Sequence, residues 1–299
     1  MFFQWQVLLD KVKGCRLVIN KLNIIDNKFR NFAMEILAKD TKEPEPDTIV
    51  STTECDIRFK FDFAKVYWNP RLSVERTRIN GKMNHSVDVL YDVFAGVGPF
   101  ACTTAKVMKC RVLANDLNPD SYRWLCENVQ LNKLERLVTC SNLDGREFIL
   151  QNVKNDLIEY IKTYNGINAN RRFHVAMNLP ELAVEFLDAF SGLLASIRDE
   201  NHSYTIPHLD IHCYCFVKNI PANEVNDYVI QLASSKLGHQ IKPEDIDEVF
   251  DVRKVAPNKN MYRISFRLSP EILYGGSTAQ QEQTTSDGQT PSNKRLKTE

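Results

Sequence analysis

Apolar residues recur along this chain with two different periods, and the changes of period mark out its elements. From Ile57 to Phe63 every second residue is aliphatic or aromatic (Ile57, Phe59, Phe61, Phe63), with Arg58, Lys60 and Asp62 between them. A period of two predicts an antiparallel strand with one wet face, within residues 49–66. Before it, Trp5–Val12 predicts a helix or turn, Cys15–Leu22 and Phe32–Ala38 predict two strands, and Thr41–Thr48 (TKEPEPDT) predicts a surface loop. Asn69-Pro70 is a turn signal, and a helix is expected from Ser73. The pattern then changes. Short, mainly apolar runs without alternation (Val89–Phe94, Arg111–Ala114, Val138–Cys140, Phe173–Met177, Ile211–Val217) predict strands covered on both faces. Between them Pro99–Met108, Pro119–Asn132, 146–164, Glu181–Ile197 and Glu224–Leu237 read as helices, and Ile246–Val255 with Tyr262–Leu268 as a closing strand pair. Strands and helices in alternation predict an α/β fold: a parallel, doubly wound, Rossmann-like sheet with an antiparallel terminal hairpin, preceded by a smaller α+β unit. The expected division is 1–80, 81–274 and a polar tail, 275–299, too poor in apolar residues to offset its ordering entropy.

Candidate chemistry gathers where those strands end. After the run ending at Phe94, Gly96 and Gly98 allow a tight turn and close approach of a ligand, and Pro99 fits the first turn of the next helix. The following strand ends in Asn115-Asp116, and an acid there can take both hydroxyls of a ribose. Two glycines instead of G-x-G-x-x-G leave no pyrophosphate nest. The spacing therefore favours a ligand with ribose hydroxyls but no phosphate, such as S-adenosylmethionine, over other nucleotides or a plain glycine turn. Four polar clusters sit at strand ends: Asp92 to Gly98, Asp116-Leu117, Asp144-Gly145 and Asn178-Leu179-Pro180. They read as a ligand site, as caps of the following helices, or as both. An Asn amide stiffened by a nearby proline offers a donor and an acceptor to a nucleobase edge.

Composition narrows the partners. The 299 residues carry a formal net charge of +0, so any nucleic-acid binding must come from local patches. Between Arg58 and Lys82 seven cations (Arg58, Lys60, Lys65, Arg71, Arg76, Arg78, Lys82) face two acids, Asp62 and Glu75, with Tyr67 and Trp68 interleaved. That is either a nucleic-acid surface or a solvated helix start beside two core aromatics. The 8 cysteines include no C-x-x-C pair, and no zinc site is expected. No apolar run reaches membrane-spanning length, and the first residues (MFFQWQVLLDKVKG) are neither a signal nor a transit peptide. Core-like residues appear almost at once, as in a fragment of a longer protein. Lys294-Arg295-Leu296-Lys297 is either a nuclear import signal or a solvated cluster.

Six segments carry a closer likeness: VINKLNIIDNKFRNFAMEILA, RFKFDFAKVYWNPRLSVERTRI, DVFAGVGPFA, NDLNPDSYRWLCENVQLNK, NLDGREF and MNLPELAVEFLDAF. Together they resemble the eukaryotic and archaeal tRNA (guanine-37-N1)-methyltransferases, from about residue 6 to about residue 270. Members of that family carry a further small N-terminal domain with no counterpart in this sequence. The resemblance implies a class I methyltransferase sheet, S-adenosyl-L-methionine as cofactor, and an anticodon stem-loop of tRNA as partner, its phosphates met by residues 58–82. It implies that Glu75 is the base that removes the guanine N1 proton, that Arg30 meets O6, that Asn178 holds the guanine edge, and that Tyr67 packs near the flipped base or the cofactor. Arg76, Asp92, Gly96 and Gly98 would line the cofactor, with Asp116-Leu117 and Asp144-Gly145 on its ribose and adenine edge. Without the resemblance, Glu75 reads first as a helix-surface partner of Arg71 or Arg78, and the resemblance reverses that order. Competing functions are transfer of the cofactor's aminocarboxypropyl arm, which the Asn178-Leu179-Pro180 turn disfavours, and a non-catalytic RNA-binding role. A monomer with no membrane partner is expected, in the mitochondrial matrix, nucleus or cytoplasm by resemblance.

Overall fold

The computed structural model describes residues 2–25, 32–40, 48–164, 170–198 and 204–276. Helix α1 (Phe2–Lys11) precedes an antiparallel pair, β1 (Leu17–Ile25) and β2 (Phe32–Lys39). A second antiparallel pair, β3 (Ile49–Glu54) and β4 (Ile57–Asp62), occupies the segment where alternation predicts one strand. The reversal falls at Cys55 and Asp56, with φ of 50° and 59°. Asp tolerates that left-handed region, but Cys-Asp carries no glycine or proline to announce a turn. Ile57, Phe59 and Phe61 are buried as the alternation requires. Asn69 caps a short turn with Pro70 at its start, and α2 (Ser73–Asn80) follows.

The main sheet holds β5 (Val89–Asp92), β6 (Arg111–Asn115), β7 (Val138–Ser141), β8 (Arg172–Met177), β9 (His208–Lys218), β10 (Ile246–Ala256) and β11 (Lys259–Arg267). Their order is β10-β11-β9-β8-β5-β6-β7. The five strands β7, β6, β5, β8 and β9 run parallel, and β11 lies antiparallel between β9 and β10. The chain builds outward from β5 through β6 to β7, then crosses to β8 on the other side. That reversal of order opens a crevice at the carboxyl end of β5, where ligands bind in such sheets.

Helices α3 (Pro99–Thr103), α4 (Pro119–Leu131), α5 (Gly145–Phe148), α6 (Lys154–Tyr164), α7 (Val225–Leu237) and α8 (Pro270–Leu273) flank the sheet. One departure from expectation lies at Glu181–Ile197, which forms 3-10 turns at Ala183–Phe190 and Ala195–Ile197 instead of one α-helix. The amides of Gly192 and Leu194 donate to Ile272 O at 2.9 Å and Leu273 O at 2.8 Å, so α8 takes bonds a continuous helix would need. Among the described residues no helix is long and apolar enough to cross a membrane.

Both faces of the sheet are dry. Tyr91, Val93, Phe173, Val175 and Ile211 belong to one apolar cluster, whereas Leu90, Val112 and Ala114 belong to another. The second cluster also contains Ile57, Phe59, Phe61, Leu72 and Ile79, so α2 and the β3–β4 hairpin share a core with the sheet. Two side-chain amides complete that join. Asn128 Oδ1 accepts from Lys60 N at 2.7 Å while its Nδ2 donates to Val97 O at 3.0 Å, and Asn132 bonds both Arg58 N (3.0 Å) and Arg58 O (2.7 Å). The outer edge of β4 is thereby satisfied by α4 instead of another strand. Asn128→Ala is expected to lower unfolding stability by about 1–3 kcal/mol for each bond left open. A denaturant titration showing less than about 0.5 kcal/mol, the range of ordinary surface changes, would remove Asn128 from this role.

Candidate active site

The strand-end clusters converge, and buried amides hold them. Gly96 and Gly98 have φ of 58° and 92°. A Cβ on Gly98 would lie 2.6 Å from Leu125 Cδ1, whereas one on Gly96 would meet nothing within 4 Å. Gly98 is thus required by packing, and Gly96 faces open space. Asp116 Oδ2 accepts from Gly96 N at 2.8 Å and its Oδ1 from Asn118 N at 2.9 Å, which locks the acid against the glycine turn. Asn115 donates to Val93 O (3.2 Å) and Leu143 O (3.0 Å) and accepts from Leu143 N (2.9 Å), tying the ends of three neighbouring strands. Asn142 donates to Asp116 O (2.7 Å) and Leu117 O (3.1 Å). Asp144 caps α5, accepting from Arg146 N at 2.9 Å. A Cβ on Gly145 would sit 2.7 Å from the Phe94 ring. Asn115 and Asn142 are fasteners that sequence reasoning missed; their only signal is an asparagine just before each strand-end acid.

Asp92 differs from its neighbours. It is 0% exposed, and neither carboxylate oxygen makes a well-formed hydrogen bond, the Ala101 amide of α3 giving only a weak contact. Burial, reinforced by the charge of Asp116, pushes it up to about 8. Burial also raises Asp116, to about 6. A buried acid without a well-formed hydrogen bond, beside an open glycine turn, suits a ligand that brings its own positive charge.

On α2, Glu75 and Arg76 are each 2% exposed. Glu75 does pair with Arg78 one turn on, as a helix-surface reading expects. It is nevertheless buried, and Tyr214 Oη of β9 donates to its Oε1 at 3.0 Å while Arg263 Nε of β11 lies 2.7 Å from the same oxygen. Arg263 is itself 0% exposed, bonds Ser265 Oγ at 2.8 Å and pairs with Glu248. Burial, then the nearby Glu75 charge, holds the Tyr214 phenol well above its usual range, so it stays a donor. Tyr214 also feels the Asp92 charge, and Asp92 feels Arg76, so the two halves of the site adjoin. The donors of Arg76 go to Glu54 of β3, its Nε at 2.7 Å from Oε1, with the guanidinium 5.8 Å from the Trp68 ring. Tyr214, Arg263 and Glu54 escape any local reading, because each lies far from its partner in sequence.

Tyr67 is 47% exposed, and its hydroxyl accepts from Asn69 Nδ2 at 3.2 Å. Asn178 is half-buried, and among the described residues its amide makes no hydrogen bond. The turn beyond it is held by its backbone: Pro180 O accepts from Phe216 N at 3.0 Å and Leu179 O from Ala183 N at 2.7 Å. Arg30 lies outside the described residues. The basic stretch is weaker than its composition implies. Arg76 and Arg78 are bound to Glu54 and Glu75, and Lys82 Nζ lies 2.7 Å from Asp247 and 3.2 Å from Glu248. Trp68 packs on Phe59 and Phe61, at 5.2 and 4.8 Å between ring centroids. Arg58, Lys60, Lys65, Arg71 and Tyr67 remain exposed.

A parallel sheet with an antiparallel strand inserted at one edge, a two-glycine turn after its first strand and an acid after its second define a Rossmann-like methyltransferase. The profile of the TRM5/TYW2 methyltransferase domain matches residues 48–208, and the chain belongs to that family. It is 46% identical over 268 residues to the tRNA (guanine(37)-N(1))-methyltransferase of Drosophila melanogaster, covering 90% of this chain and 56% of that protein. The chain thus spans about half the length of the curated relatives it matches. Among solved structures it is similar to aTrm5 in complex with tRNALeu, with a TM-score of 0.61 and 27% identity over 90% of this chain and 65% of that one. Trm5 of Methanocaldococcus jannaschii in complex with adenosine gives a TM-score of 0.59 and 27% identity, covering 89% of this chain and 67% of that one.

The raised Asp92 has a testable sign. In the unfolded chain this acid ionises at its ordinary 3.8, in the folded chain only near 8. Its contribution is full below the unfolded value and is lost as pH rises through the folded one. Asp92→Asn is therefore expected to raise the melting temperature by several degrees at pH 8 and to change it little at pH 4. Calorimetry showing an equal effect at both values would refute the raised acid.

Proposed function

We propose that this chain is the catalytic part of a tRNA methyltransferase that moves a methyl group from S-adenosylmethionine to N1 of guanosine 37, 3′ of the anticodon. The observation that carries the reading is Glu75, a buried carboxylate held by Tyr214 and Arg263 beside the strand-end acids. The names of the curated relatives and the tRNA-bound structural neighbour support it.

The residues present fit the cofactor. The Asp92 carboxylate, with no well-formed hydrogen bond, suits its ammonium group, the open side of Gly96 gives it room, and Asp116 is rigidly placed for ribose hydroxyls. Asp144, Gly145 and Leu117 stand beside it for the adenine edge. When bound, it supplies an electrophilic methyl group on a sulfonium. The unengaged Asn178 amide orients the guanine edge, and the exposed Tyr67 ring, in the segment leading into α2, stacks on a splayed base.

Guanine N1 carries a proton that must leave as the new bond forms, and Glu75 receives it. Its two oxygens are not equivalent. Oε1 is held by fully buried Tyr214 and Arg263, which keep the carboxylate in place. Oε2 is held by Arg78, whose side chain is 33% exposed and lies 3.9 Å over the Phe250 ring. Arg78 is the most exposed of the three partners and the only one on Oε2, so Oε2 is the oxygen that takes the proton. Arg30, by resemblance, would meet the charge gathering on O6.

Glu75→Gln is expected to cut single-turnover methyl transfer to an anticodon stem-loop by about 100-fold or more, while cofactor affinity stays within about twofold. An unchanged rate removes Glu75 as base. Mass spectrometry of the same stem-loop separates the family's two transfers. A mass gain of one methyl group supports the proposal, and an aminocarboxypropyl gain replaces it.

A further inference from the structure

Three cations at the rim of the sheet have no role in the site described above. At the carboxyl end of β9, Lys218 stands directly opposite Lys259 of β11. Like charges set opposite one another across a ladder destabilise it. Arg253 of β10 is opposite Met261, the next residue but one along β11. None of the three has a carboxylate partner among the described residues. The next acid along β10, Asp251, is already taken by Asn260 Nδ2 at 2.8 Å and Tyr262 Oη at 3.2 Å.

Register places these cations on the face that carries Glu75. Residues opposite in a ladder share a face, and side chains alternate along a strand. Tyr214 is opposite Arg263, Phe216 opposite Met261, and Lys218 opposite Lys259. One face of β9 and β11 thus reads, toward the carboxyl end, as the two partners of Glu75, then Phe216 and Met261 with Arg253 beside them, then the lysine pair. Four residues separate Lys218 from Tyr214, about 13 Å of extended strand. Lys259 Nζ lies 3.9 Å over the Phe216 ring, and Phe216 N bonds Pro180 O in the turn that follows Asn178.

Charge complementarity names the occupant. The site below offers a phosphate no uncommitted arginine: Arg76 is taken by Glu54, and Arg78 and Arg263 by Glu75, beside the acids Asp116 and Asp144. The rim above is cationic and apolar by turns. Such a surface admits a neutral base and keeps its phosphodiester backbone outside. We propose that Lys218, Arg253 and Lys259 clamp the RNA backbone beside the nucleotide whose base enters the site. This rests on the tRNA reading above and adds cations to the 58–82 stretch, where four of the seven are in ion pairs.

The test is binding of an anticodon stem-loop to the full 299-residue chain across a salt series. The triple variant Lys218→Ala, Arg253→Ala, Lys259→Ala should weaken binding about tenfold or more and make the slope of log affinity against log salt shallower by about 2, from about 0.7 per phosphate contact. Its affinity for S-adenosylmethionine should not change, which also reports that the variant is folded. Lys162→Ala, in the last turn of α6 and toward the opposite end of the sheet, removes a charge without a place in the clamp and should leave the slope as it was. An unmutated chain that binds the stem-loop, with a triple variant of equal slope, overturns the clamp alone. Displacement of the stem-loop by poly-glutamate as readily as by a second RNA also overturns it. An unmutated chain that takes up cofactor but no stem-loop overturns the tRNA reading, and the clamp with it.

Discussion

Removing a carboxyl group from water at the end of β5 costs several kcal/mol if it ionises without a partner, and Asp92 has no well-formed hydrogen bond, only the weak approach of the Ala101 amide. Such a group survives only where the surroundings cannot rearrange to bring it a donor. The neighbouring structure meets that condition. β5 is paired on both sides, by β6 and β8, the glycine turn after it is pinned by Asp116, and Asn115 fastens the ends of the adjoining strands. The rigidity of the crevice and the discomfort of its acid are one constraint. A cationic ligand relieves it, which makes the empty charge balance of the site part of its affinity.

Glu75 is the opposite case, an acid with three partners. Its hydrogen bond from Tyr214 and its ion pair with Arg263 join α2 to the far half of the sheet and begin a buried polar seam. From Arg263 the seam continues to Ser265 Oγ at 2.8 Å, to His212 at 2.9 Å, to His174 at 3.1 Å and to Asp88 at 3.3 Å. Burial holds His212 well below its usual range, so the seam carries a neutral ring at its middle. Arg263 is therefore fixed at both ends, and its guanidinium cannot follow Glu75 if that side chain moves. The two carboxylates set a division of labour across the crevice: one awaits a charge from outside, and the other is held at a fixed place by charges from within.

Some of this was open to a reader of the residues alone. Buried parallel strands have no wet side, so Val89–Phe94 and Phe173–Met177 betray themselves by their lack of polar alternation, and Gly96, Gly98 and Asp116 follow from the turn they must make. The turn at Cys55-Asp56 was hidden because the alternation passes through it undisturbed. The break at Gly192 was hidden because its cause, α8, lies some eighty residues on. The basic stretch was legible only in part: counting charges cannot reveal that Arg76 is consumed by Glu54 on another element.

The order of elements, the parallel sheet and the places along the chain where a ligand could sit can all be read from the residues alone. Periodicity and turn chemistry act over a few residues, and those features are written at that range. Which polar groups meet depends on the folded chain. It left Asp92 without a well-formed hydrogen bond, gave Glu75 its partners from β9 and β11, freed the amide of Asn178, and set Lys218 against Lys259 on the face that carries Glu75. Pairings across such distances depend on strand order and register, which the whole fold sets, and the chemistry of the site resides in them. The glycine turn after β5 announces that a ligand comes, and the residues folded against it decide what that ligand must carry.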